Sequence, residues 1–124
     1  MVSTEAKSVV DKLKRDNKGN IFLTTNQIRK FLAGINGIYN RILAYQGAGK
    51  INGDQLPQEI VDEIEYIKVK LVYQSGRERN VKEFMQLADL EKRLDSIGNS
   101  KKKFIEFNRF IEGIVAYHKF QGGN

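Results

Sequence analysis

Apolar residues recur at spacings of three and four along most of this chain, and few segments alternate apolar with polar residues as strands would. The pattern predicts an all-α protein, a compact bundle of about five helices forming one domain over residues 1–124. From about Ser3 to Asn17 the sizeable apolar groups are only Val9, Val10 and Leu13, so residues 1–20 read as a short accessory helix and turn. Asp16-Asn-Lys-Gly-Asn20 makes that turn. The second helix starts at Thr24, because Gln27 three residues later completes a capping box that satisfies otherwise orphan amides. Its apolar stripe is Ile28, Phe31, Leu32, Ile35, Tyr39 and Ile42, and Gly47-Ala-Gly49 ends it.

Residues 48–56 form a loop rich in Gly, Asn and Asp, and Pro57 suits the first turn of a third helix. That helix buries Ile60, Ile64, Ile67 and Leu71 and runs to about Ser75 or Arg79, with Gly76 as a point of breakage or kinking. Its acids come early and its cations late, which complements the helix dipole. Val81, Phe84, Leu87, Leu90 and Leu94 predict a fourth helix over about Asn80–Ile97, stopped by Gly98-Asn99. The last helix, about Lys101–Phe120, carries Phe104, Phe107, Ile111, Ile114 and Val115, with Phe110 and Tyr117 beside them. So wide an apolar arc places it at the centre of the bundle or under a partner.

On the second helix, Gly34 and Gly37 share the face opposite the apolar stripe with Lys30, Ala33, Arg41 and Ala44. An interior helical glycine costs about 1 kcal/mol relative to alanine. Two on one outward face suggest that another backbone comes close there, whether from within the domain or from a partner.

Composition narrows the function. The length suits one domain, and no apolar run approaches the ~20 residues that cross a bilayer. The N-terminus lacks a signal-peptide core, so a cytoplasmic protein with no membrane partner is expected. Without cysteine there is no disulfide, thiol nucleophile or thiolate metal site. The net charge of +6 favours phosphate-rich or acidic partners.

Enzyme-like patterns fail on inspection. Gly47-Ala-Gly-Lys50 lacks the earlier glycine, the following Ser or Thr and the preceding strand of a phosphate loop. The Asp16–Asn20 turn lacks the bidentate glutamate of a calcium loop. The one histidine, His118, extends the Phe104–Ile111–Ile114 stripe and reads as a satisfied core or interface group. No catalytic residue, metal site or cofactor is expected.

The positive signal lies in Tyr66–Arg79. On a helix, Tyr66, Lys70, Tyr73 and Arg77 fall on one stripe, and neither cation has an acid three or four residues away. Cations interleaved with aromatic rings suit a polyanion that also offers flat bases. Lys68 projects about 160° from Lys70 and has Glu65 three residues before it. Arg79 has Glu83 four residues after it, so helix geometry alone makes both of these solvated or salt-bridged. Arg41 has no acid at helical spacing and is a second candidate. Lys101-Lys-Lys103 opens a helix against its dipole and reads equally as a phosphate contact or a solubilising run.

Three segments carry a family resemblance: Leu23-Thr-Thr-Asn-Gln-Ile-Arg-Lys-Phe31, Lys68-Val-Lys-Leu-Val-Tyr-Gln-Ser-Gly-Arg77, and Phe104 through Val115-Ala-Tyr-His-Lys-Phe-Gln-Gly-Gly123. With the length and order, the chain resembles the small, all-helical subunit of type III-A CRISPR effector (Csm) complexes. The resemblance implies a non-catalytic subunit of an RNA-guided antiviral assembly, with copies of itself stacked beside the backbone subunits and near the large subunit. It implies contact with the guide RNA and target RNA, chiefly the target strand. Lys68, Lys70 and Arg77 would be RNA-binding by the middle motif, with Arg41, Arg79 and Tyr73 as further candidates. A helical protein–protein adaptor with no nucleic-acid role is the alternative that the glycine-rich and aromatic faces leave open.

Overall fold

The computed structural model describes residues 2–123. It comprises six α-helices: α1 Val2–Lys12, α2 Thr25–Gly47, α3 Gln58–Arg77, α4 Arg79–Leu87, α5 Leu90–Ile97 and α6 Lys101–Phe120. Among the described residues the β pairing is limited to two isolated bridges, Arg15 with Ile21 and Gln55 with Ser100. The protein is all-α.

Local chemistry explains most boundaries. The Thr24 hydroxyl accepts from the Gln27 amide at 3.2 Å, and the Gln27 side chain accepts from the Thr24 amide at 2.8 Å. The Asp16 carboxylate accepts the Lys18 and Asn20 amides and closes the turn after α1. These bonds hold Asp16 below its ordinary carboxylate value, the Asn20 amide contributing most. At the start of α6, Asp54 accepts the Ser100 hydroxyl and the Lys102 amide, both at 2.7 Å. It is held low by these bonds and by the nearby lysines, and supplies the negative charge that the Lys101–Lys103 run lacks locally.

Two boundaries differ from the sequence reading. Gly76 stays inside α3, and the chain turns two residues later at Glu78, whose backbone is extended (φ −126°). The expected Asn80–Ile97 helix is two helices, which brings the bundle from about five to six among the described residues. α4 is capped by Ala88, Asp89 takes the left-handed conformation (φ 52°), and α5 restarts at Leu90. The leucine spacing runs through this break, which is why periodicity alone joined the two.

The core draws on every helix. Phe84, Phe104, Phe110, Ile35, Ile60 and Leu90 are among its fully buried side chains, and Phe31 meets Phe107 edge-on at 6.2 Å. α2 buries Ile28, Phe31, Ile35 and Ile42 of the predicted stripe and Ile38 besides, while Leu32 and Tyr39 are only partly covered. The wide apolar arc of α6 is satisfied within the chain, with α1, α2 and α5 packed against it. α1 contributes Ala6, Val9 and Val10, and Ala6 sits so close to Gly113 that a Cβ there would lie 2.9 Å away. His118 is buried, as the stripe predicted. Its Nε2 lies 2.6 Å from the Leu23 carbonyl and so donates to it.

Candidate nucleic-acid interface

α3 packs Ile60, Ile64, Ile67, Leu71 and Ser75 inward, which leaves the rest of its surface to α2 on one flank, α5 on the other and solvent opposite. The cation–tyrosine stripe lies toward the α2 flank. Tyr66 and Tyr73 remain 60% and 63% exposed, and Lys70 and Arg77 are exposed beside them. The Lys70 ammonium stands 4.8 Å from the centre of the Tyr66 ring, and the Arg77 guanidinium 5.6 Å from that of Tyr73. Each cation thus rests on an aromatic face, a contact of about 0.5–1 kcal/mol at exposed sites that orients both groups. No acid lies within salt-bridge distance of either among the described residues.

The remaining candidates separate from this pair. Lys68 projects to the α5 flank, where it donates to Asp95 at 2.6 Å. That bond holds the ammonium more basic than usual. Lys68 is thus salt-bridged, but to an acid 27 residues away; the Glu65 partner that helical spacing suggested is not engaged. Arg41 does have an acid, supplied by α3: it pairs with Glu63. Its guanidinium also lies 3.5 Å from the Tyr45 hydroxyl, which in turn donates to Glu59 at 3.1 Å. The Tyr45 hydroxyl and Glu63 together raise its basicity. Arg79 opens α4 and is exposed, and the expected contact with Glu83 is not formed. Glu83 instead accepts the Lys14 amide at 3.2 Å.

Lys30 was not among the predicted site residues, and the fold brings it to Lys70. A cleft of about 500 Å³ runs between α2, α3 and α4, floored by Phe31, Ile67, Leu71 and Phe84. Lys30 from α2 and Tyr66, Lys70 and Tyr73 from α3 line it, with Val69 and Gln74. Gly34 lets the two helices close at its base, since a Cβ there would lie 2.5 Å from Ile67 Cδ1. The signal for Lys30 was its place on the Gly34–Gly37 face, but the partner helix could not be read from that face alone. A bond of 3.1 Å from Gln27 to Glu78 ties the start of α2 to the α3–α4 turn and closes one end.

Elsewhere, no group of three or more His, Asp or Glu side chains gathers as a metal site among the described residues, and no described helix is long and apolar enough to cross a membrane.

The model of one protein family, Csm2 of type III-A, matches residues 2–124. The chain is 34% identical over 119 residues to the CRISPR system Cms protein Csm2 of Streptococcus thermophilus, covering 96% of this chain and 89% of that protein. To the protein of the same name from Enterococcus italicus it is 36% identical over 127 aligned positions, covering 93% and 85%. The Mycobacterium tuberculosis protein of that name is 35% identical over 103 residues, covering 83% and 78%.

Proposed function

This chain belongs to the Csm2 type III-A family, and from that premise we propose that it is a non-catalytic small subunit of a cytoplasmic, RNA-guided CRISPR effector complex. In this reading the chain acts as one domain, copies stack beside the other Csm subunits, and α3 holds the backbone of the guide–target RNA duplex. The observation that carries it is the exposed α3 stripe, where Lys70 and Arg77 lie over Tyr66 and Tyr73 with no acid in salt-bridge range among the described residues. Guide base pairing supplies sequence recognition, so the protein needs only contacts to phosphate. Lys68 and Arg41 rank lower, because a phosphate there competes with Asp95 or Glu63. Arg79, exposed beside the α3–α4 turn, ranks with the stripe as a peripheral contact.

The test replaces Lys70 and Arg77 with alanine and measures target-RNA affinity of the assembled complex against salt. The double variant is expected to bind more weakly and to lose about one unit of salt slope per cation, with the fold unchanged. Unchanged affinity and slope would remove these residues from the RNA contact. The alternative, an adaptor for helices, draws on the apolar exposure of Val72 (45%) on the outward side of α3 and of Val69 (57%) between it and the cleft. It predicts that the variant assembles and binds RNA normally, while changes at Val69 and Val72 release a protein partner.

A further inference from the structure

A duplex backbone does not account for the cleft beside the stripe. Paired bases keep their faces inside the stack and present phosphates and sugars outward, and these gain nothing from a floor made of Phe31, Ile67, Leu71 and Phe84. The cleft is apolar below and cationic at its mouth, where Lys30 comes from α2 and Lys70 from α3. Neither has an acid within salt-bridge distance among the described residues. A protein helix laid in this groove would press its apolar ridge against two unpaired ammonium groups. A nucleotide matches both halves, with a flat apolar base for the floor and anionic phosphates for the rim.

We propose that the cleft between α2, α3 and α4 receives the base of an unpaired RNA nucleotide, with Tyr66 and Tyr73 stacking at its mouth and Lys30 and Lys70 holding the flanking phosphates. The proposal rests on the RNA-contacting reading of α3 and adds a second mode to it. The volume, about 500 Å³, is within the range of small-ligand sites. Lys70 covers one face of Tyr66 and Arg77 one face of Tyr73, so each ring is held by its cation and retains a second face for a base. Gln74 lines the wall and its amide makes no side-chain hydrogen bond among the described residues, whereas Gln27 is committed to Thr24 and Glu78. Such a site tolerates any base, because stacking uses the π-face common to all four.

The experiment titrates the full chain with single-stranded hexauridylate and with an abasic hexamer of the same ribose–phosphate backbone, following chemical shifts of the cleft residues. The two probes carry equal charge and differ only in their bases. Hexauridylate is expected to bind roughly fivefold or more tightly than the abasic chain and to shift Phe31, Tyr66 and Tyr73. Tyr66→Ala with Tyr73→Ala should remove that preference and leave abasic binding in place, and the corresponding Phe variants should restore it. Equal binding of the two probes to the wild-type chain overturns the base-binding cleft while leaving the backbone contact standing. Binding of neither probe, in free chain or assembled complex, overturns both.

Discussion

Gly34 and Gly37 sit about one turn apart on α2, and only one of them is needed by this chain's packing. A Cβ at Gly34 would meet Ile67 Cδ1 at 2.5 Å, so Ile67, which is almost wholly buried, would have to move. At Gly37 nothing lies within 4 Å of the added Cβ. Gly37→Ala is therefore expected to stabilise the free chain by about 0.5–1 kcal/mol, the usual gain of alanine over glycine in a helix interior. Gly34→Ala should fall short of that gain or reverse it, since displacing a packed side chain costs about 1 kcal/mol or more. Denaturant midpoints of the two variants check the difference; equal stabilisation would mean that the Ile67 δ-methyl swings aside at little cost. The two glycines suggested a neighbouring backbone on this face, but the neighbour is a side chain, Ile67, and it meets Gly34 alone, which depends on how α2 sits against α3. The same limit applies to Arg41 and Lys68, whose acids Glu63 and Asp95 lie 22 and 27 residues away and cannot be found from helical spacing.

At the scale of elements, the capped starts were the legible part and the internal break was not. Thr24 with Gln27 marks α2 within four residues of sequence, and both halves of that box are formed. Nothing comparable marks the end of α4, because Leu87, Leu90 and Leu94 continue the helical spacing and Asp89 carries no special signal. Tertiary packing decides it: the left-handed Asp89 redirects the chain so that α5 buries Leu90, Leu94 and Ile97. An L-residue in that conformation costs about 1–2 kcal/mol, less for aspartate than for most. This makes the sign of a glycine substitution informative. If the break is as described, Asp89→Gly should be more stable than Asp89→Ala by about 1 kcal/mol, because only glycine adopts that backbone freely. In a continuous helix the order reverses by a similar amount. Thermal unfolding of the two variants decides between one helix and two.

For the whole molecule, the question is whether RNA senses its net charge or the place where unpaired charge collects. The chain carries 21 cationic and 15 anionic side chains, a difference of +6. Four of the cations are committed to acids among the described residues: Arg41, Lys68 and Arg93 reach acids on other helices, and Lys7 pairs along its own. At the start of α6 the Asp54 carboxylate accepts the Lys102 amide and lies in the field of Lys101 and Lys102. Gathered on one face with no salt-bridge partner among the described residues are Lys30, Lys70 and Arg77, around the cleft and the tyrosines. Counterion release depends on the number of phosphates neutralised and not on total charge, at about 0.7 per contact for a single strand. Three contacts predict a slope of log affinity against log salt near −2 for a short single-stranded RNA on the free chain. Removing two charges leaves +4 wherever they are removed, from +6 less 2. Lys70→Ala with Arg77→Ala should nevertheless flatten the slope by more than half, while Lys102→Ala with Lys103→Ala should leave it nearly as it was. Equal flattening by the two pairs would show that RNA responds to the charge of the whole surface, and the α3 stripe would then hold no privileged position.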